Sequence, residues 1–202
     1  MLVSKRMTKD PVTVTPDDLL IQARLRMQAG GFRRLPVVSD GQLVGIITDR
    51  DLRQHVGLLD RTEVKAAMSK KPITVTPATT LEAAAQILLK QKIGSLPVVE
   101  RGRPVGIITT SDILQAFLEV MGASEETSTR IDFVLQGEGG GLAEGSRIVS
   151  QEGGEVLGVG TYRGRWGESQ VCYLRFRSGD AGAIAKVLRE RGFEVLGVHP
   201  VG

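Results

Sequence analysis

The chain has 202 residues, 41% of them hydrophobic, and carries 26 Lys and Arg against 23 Asp and Glu, a net charge of +3; this is ordinary for a globular protein of one or two domains. No apolar run approaches the ~20 residues that span a bilayer, and the start, Met1-Leu2-Val3-Ser4-Lys5-Arg6-Met7, lacks the apolar segment of a secretory signal, so a soluble, cytoplasmic protein is expected. One cysteine, Cys172, and two distant histidines, His55 and His199, exclude an internal disulfide framework and offer no metal-binding constellation.

Taken in chain order, the first 120 residues repeat themselves. A shift of 61 positions aligns Met7 to Arg53 with Met68 to Leu114 without a gap. In each copy a β-rich segment (Val12 to Val14 in the first) stops at Pro16, a residue suited to the first turn of a helix. Leu19, Leu20, Ala23, Leu25 and Met27 follow at roughly helical spacing, and Gly30-Gly31 ends that helix. Strand Leu35 to Val38, a hairpin turn at Asp40-Gly41 and strand Leu43 to Thr48 come next, and Asp49 opens a second helix. The unit is β-α-β-β-α, and two such units can pack around a pseudo-twofold axis. Both end in the same stretch: Gly45-Ile46-Ile47-Thr48-Asp49-Arg50-Asp51 and Gly106-Ile107-Ile108-Thr109-Thr110-Ser111-Asp112.

The paired Pro-x-Thr-Val-x-Pro openings, the Leu-Pro-Val-Val strands and the Gly-x-x-Thr-x-x-Asp ends resemble a tandem pair of CBS domains, the Bateman module. The resemblance implies domains at residues 1–61 and 62–122, regulatory binding of an adenosyl ligand (AMP, ADP, ATP, NAD or S-adenosylmethionine), association as a homodimer, and no catalysis. The residues fit that chemistry. An ionised carboxylate accepts both hydroxyls of a ribose, which suits Asp51 and Asp112; Thr48 and Thr109, three residues earlier at helix N-termini, suit a phosphate. The alternative is that each Thr caps its helix while the Asp favours the helix dipole. In such pairs an arginine before the Leu-Pro strand reaches ligand phosphates, and Arg34 holds that position with a forked guanidinium suited to it; a solvated surface arginine is the alternative. Its counterpart is Ser95, so Asp51 is accompanied by Arg34 and Asp112 by Ser95, with the packing of the repeats left to decide which Asp shares the arginine. Thr13 and Thr74 fall where the family presents backbone and apolar groups to adenine, or are plain strand residues. Residues 1–122 carry 17 basic against 12 acidic side chains and residues 123–202 carry 9 against 11; the basic half suits an anion, although mild positive charge also describes an ordinary solvated surface.

Residues 123–130 read as a polar linker, and residues 131–202 have another rhythm. Ile131 to Leu135 is a strand, Gly139-Gly140-Gly141 a turn, Leu142 to Ser150 a helix and Val156 to Tyr162 a strand. Val171 to Phe176 alternates, placing Cys172, Leu174 and Phe176 on one face and Tyr173, Arg175 and Arg177 on the other. Helix Ala181 to Arg191 and strand Phe193 to Val198 complete a β-α-β-β-α-β order, that of a ferredoxin-like sandwich. In this context it resembles an ACT domain, of whose first turn only the Gly-x-Leu-Ala fragment at Gly140 to Ala143 remains; amino-acid sensing there, with the CBS pair as a dimerising module, is the alternative function. The overall fold class is mixed α+β, and the architecture is similar to the acetoin-utilisation protein B family. The glycines near Gly137 miss the dinucleotide fingerprint. Arg163, Arg165, Trp166, Tyr173, Arg175 and Arg177 mix basic and aromatic residues as some nucleic-acid binders do, but the net negative charge around them argues against that partner. Cys172 reads as core and His55 as helix surface beside the Asp51 junction. The regulated partner is unspecified.

Overall fold

The computed structural model describes residues 1–124, 127–134, 141–163 and 170–201. They form two compact units, Met1–Leu114 and Gln115–Gly202, of mixed α and β structure. The first unit contains β1 (Thr8–Lys9), α1 (Leu20–Gly30), β2 (Arg34–Ser39), β3 (Gln42–Thr48), α2 (Asp49–Gln54), α3 (Val64–Ala67), β4 (Ser69–Lys70), α4 (Leu81–Gln91), β5 (Ser95–Glu100) and β6 (Arg103–Thr109). The dividing point falls within α5 (Thr110–Val120).

The hairpins form as their turns dictate. Asp40 and Gly41 both have positive φ, +51° and +75°, as a two-residue turn matching the strand twist requires. Helix α1 ends on Gly31 in the left-handed conformation, and α4 ends the same way on Lys92. Three local expectations change. The Val12–Val14 segment is reduced to a bridge from Val14 to Val37, because Pro11 and Pro16 flank it and neither supplies an N–H. Pro16 does not open a helix: Asp18 accepts the Thr15 N–H at 2.9 Å, closing a turn, and α1 starts four residues later with Gln22 accepting the Leu19 N–H at 2.8 Å. Leu25 is exposed, so the inward stripe of α1 is Leu20, Ala23 and Met27.

The two repeats are tied by exchange of their leading segments. Strand β1, which opens the first repeat, pairs with β6 of the second, and β4, which opens the second, pairs with β3 of the first. The exchange follows the 61-residue shift back to the first residue: Leu81 N–H donates to the Met1 carbonyl and Leu20 N–H to the Thr62 carbonyl, both at 2.9 Å. The glycine of each Gly-x-x-Thr-x-x-Asp stretch makes this possible. A Cβ on Gly106 would lie 2.6 Å from the Met7 sulfur and 3.0 Å from the Thr8 carbonyl oxygen; one on Gly45 would meet Met68 and the Ser69 carbonyl in the same way. Gly106→Val is therefore expected to destabilise the first unit by about 1–3 kcal/mol through overpacking, measured as a lowered urea midpoint; an unchanged midpoint would mean that β1 is free to lift away.

The second unit comprises β7 (Ser128–Val134), α6 (Gly141–Gln151), β8 (Glu155–Arg163), β9 (Gln170–Arg177), α7 (Ala181–Glu190) and β10 (Glu194–Val201). Its strands lie in the order β10-β7-β9-β8, antiparallel throughout. One sheet face, with Ile131, Phe133, Cys172, Leu174 and Phe176, packs in a core with Ile148 and Val149 of α6 and Ile184 and Leu188 of α7. Asp180 caps α7 through the Gly182 and Ala183 N–H groups. Cys172 is buried as expected, and desolvation pushes its thiol pKa up.

On the other face of β9, Tyr173 and Arg175 are buried as well. Tyr173 lies under Arg130, whose guanidinium carbon is 4.5 Å from the ring centre and whose Nε and Nη2 both donate to Asp132. Arg175 Nη1 donates to Ser128 Oγ at 3.0 Å, while its buried Nε has no acceptor among the described residues. A polar layer thus covers the face of the sheet opposite the apolar core. The turn residues 137–140, together with Arg165 and Trp166, lie outside the described residues.

Candidate functional site

Each Thr-x-x-Asp junction folds into a reciprocal cap. At the start of α5 the Thr109 N–H and hydroxyl both donate to Asp112 Oδ2 at 2.7 Å, and the Asp112 N–H donates back to Thr109 Oγ1 at 3.3 Å. At α2 the same bonds join Thr48 and Asp51 at 2.8, 2.7 and 3.3 Å. Capping and ligand binding are therefore not exclusive alternatives. The box uses one carboxylate oxygen, leaving Oδ1 of each Asp uncommitted among the described residues, and it fixes the direction in which that oxygen points. The threonine hydroxyl hydrogens, which a phosphate would need, are already given to the aspartates.

A cavity of about 520 Å³ opens at the α5 junction, and Thr109 and Asp112 line it with Arg33 and Arg34. Arg34 belongs to the first repeat, where β2 places it opposite Thr48, but its guanidinium lies against Gly94 of the second, in the space that a Cβ there would fill. The question left open by the sequence is thereby answered: the arginine shares its cavity with Asp112 rather than with Asp51. It is half-buried, and burial first, with repulsion from Arg33 second, pulls its pKa below the usual arginine value. No described carboxylate pairs with it. A desolvated cation without a counter-charge is a site that an anion stabilises.

Ser95 is buried opposite Thr109 on the β5–β6 hairpin and does not line this cavity. Thr13 and Thr74 are half-buried, and the Thr13 carbonyl accepts a hydrogen bond from Arg26 at 2.7 Å; the neighbouring Val12 lines the cavity instead. His55 ends α2, with its Nδ1 2.8 Å from the Asp51 carbonyl oxygen. Phe32 and Asp10 were not anticipated as lining residues. An exposed aromatic directly after a helix-ending glycine was the available signal for Phe32; Asp10 is brought in by the exchanged strand β1, which no local pattern announces. Among the described residues no group of three His, Cys, Asp or Glu side chains could hold a metal ion, and no helix is long and apolar enough to cross a membrane.

Comparison with known proteins gives this geometry a context. The chain is 41% identical over 108 residues to an inosine-5'-monophosphate dehydrogenase of Korarchaeum cryptofilum, covering 52% of this chain but 22% of that enzyme. It is 33% identical to a CBS domain-containing protein of Dictyostelium discoideum, covering 60% of this chain and 94% of the relative. Among solved structures, one described as an acetoin utilization protein from Vibrio cholerae aligns with TM-score 0.56 and 33% identity over 62% of this chain and 98% of that one. The CBS domain pair of protein MJ0100, in complex with 5-methylthioadenosine and S-adenosyl-L-methionine, aligns with TM-score 0.54 and 28% identity over 58% and 95%. CBSX2 in complex with AMP aligns with TM-score 0.53 and 31% identity over 59% and 97%. The family model for the CBS domain matches residues 3–57 and again 63–119. Those two matches take in both capping boxes and the exchanged strands that join the hairpins, and by them the chain belongs to the CBS domain family.

Proposed function

We propose that this protein is a non-catalytic sensor that binds an adenosyl ligand in its CBS pair and passes the bound state on through a homodimer. The observation that carries the reading is the α5 cavity, where an unpaired, half-buried guanidinium and a carboxylate with one uncommitted oxygen face the same space. Asp112, and Asp51 in the corresponding position of the first repeat, accept the ribose hydroxyls; Thr109 and Thr48 hold them in place through the capping boxes. Arg34 takes the anionic end of the ligand. Ser95 stands where an arginine would serve the Asp51 position, so a phosphorylated ligand binds there more weakly. Thr13 and Thr74 flank the adenine through their backbone. The structures solved with AMP and with S-adenosyl-L-methionine support the ligand class. Ligand binding acts on the dimer by favouring one of two arrangements, which requires different affinities for the two. Exposed apolar side chains on α4 and α5, Leu89 and Leu114 among them, support self-association.

Calorimetric titration of nucleotide-free protein with AMP, ADP, ATP, NAD and S-adenosylmethionine tests the reading. Binding of at least one ligand is expected, and it should be weakened in both Asp112→Asn and Asp51→Asn; no heat from any of the five would end the proposal. Light scattering should show a dimer at micromolar concentration.

The antiparallel sheet order β10-β7-β9-β8 with two helices on one face favours a second reading, in which the C-terminal unit is an ACT-like domain that takes an amino acid. That reading predicts a thermal shift with one amino acid that survives both Asp→Asn substitutions; a panel of the twenty amino acids without a shift would remove it.

A further inference from the structure

The two repeats differ in charge at one position beside the cleft. Asp10 lines the cavity that holds Arg34 and Asp112. It follows β1 with a left-handed backbone, φ +47°, and the position 61 residues on, directly after β4, is Lys71 at φ +50°. The two φ angles nearly coincide, so the corresponding turns start their side chains in similar directions, and the exchange of Asp for Lys reverses the charge at this position. The turn itself does not demand an aspartate, since Lys71 adopts it too. No described residue pairs with Asp10, and Arg34 is equally unpaired. One cavity therefore presents a free anion and a free cation that do not neutralise each other.

Resting on the adenosyl reading of this cleft, we infer that Asp10 determines its ligand specificity: the cleft selects adenosyl ligands whose tail sets an ammonium beside an anionic group, as the aminocarboxyl end of S-adenosylmethionine does, over polyphosphates. Arg34 takes the carboxylate of such a tail and Asp10 its ammonium. A triphosphate also gains the arginines, but it brings its remaining negative charge into a cavity lined by an unpaired carboxylate, and like charges repel. Asp10 is exposed, so the discrimination is screened by salt.

The test titrates S-adenosylmethionine, AMP and ATP into the full chain carrying Asp51→Asn, which disables the other ribose acceptor, and into the same chain with Asp10→Asn or Asp10→Lys added. The parent should bind S-adenosylmethionine more tightly than ATP. Asp10→Asn should weaken S-adenosylmethionine and strengthen ATP by about three- to tenfold each, Asp10→Lys should invert the order, and both shifts should shrink in about 0.5 M salt. Equal changes for all three ligands, or none, would overturn the role of Asp10 while leaving the adenosyl cleft intact. If neither the parent nor the unmodified protein binds any of the three, the adenosyl reading fails, and the specificity with it.

Discussion

Arg34→Ala is expected to lower the affinity for AMP about ten- to a hundredfold, the equivalent of one hydrogen-bonded charge pair at about 1.5–3 kcal/mol, while adenosine binding changes by less than about twofold. Among the described residues the Arg34 guanidinium has no acidic partner, it is partly desolvated, and Arg33 repels it. The free protein therefore carries a cation that an arriving phosphate relieves, and truncation to alanine removes that gain without stranding a protein carboxylate. Adenosine has no phosphate and serves as the control. Calorimetric titration of both ligands measures the difference. Equal losses for the two would place Arg34 in packing rather than in anion binding, and no loss would separate it from the ligand altogether.

The largest effect on stability is expected from Phe133→Ala. Phe133 has no exposed surface, meets Phe193 edge-on at 5.3 Å between ring centres, and lies where Gly145 lets α6 settle onto the sheet. Truncating a fully buried phenylalanine removes about 3–5 kcal/mol, against a total stability of about 5–15 kcal/mol for a typical domain. The second unit should then unfold at much lower urea concentration. Its core is separate from that of the first unit, so adenosyl binding without denaturant should persist. Circular dichroism through a urea series, paired with ligand titration, reads both quantities. A loss below about 1 kcal/mol would mean that the two helices collapse onto the void.

Much of the N-terminal unit is legible in the sequence because its signals are local. Asp40-Gly41 specifies a tight turn, Gly30-Gly31 a helix end, and Thr-x-x-Asp a cap, and each needs only its neighbours to act. What the sequence hides depends on pairing between distant segments. The exchange of β1 and β4 places Asp10 in a cleft with Asp112, and the packing of the repeats carries Arg34 across to Gly94. Both are tertiary outcomes that a repeat alignment cannot order. Burial of Tyr173 and Arg175 is hidden for another reason: alternation separates the two faces of β9 without saying whether the polar one is covered, and here Asp132 holds the Arg130 that stacks on Tyr173, and Ser128 gives Arg175 an acceptor. Leu25 is the converse, an apolar residue at nearly the right spacing that one helical turn leaves outside.

The exchanged strands also set an order of events in time. Strand β4 lies about 24 residues from its partner β3, whereas β1 must wait for β6, about 98 residues further along the chain. At about 5–20 residues per second, β1 of a nascent chain stays unpaired for roughly 5–20 seconds after it is made. Strand β1 is therefore among the last segments of its unit to find a place, and the cleft that Asp10 borders is completed only when the second hairpin arrives.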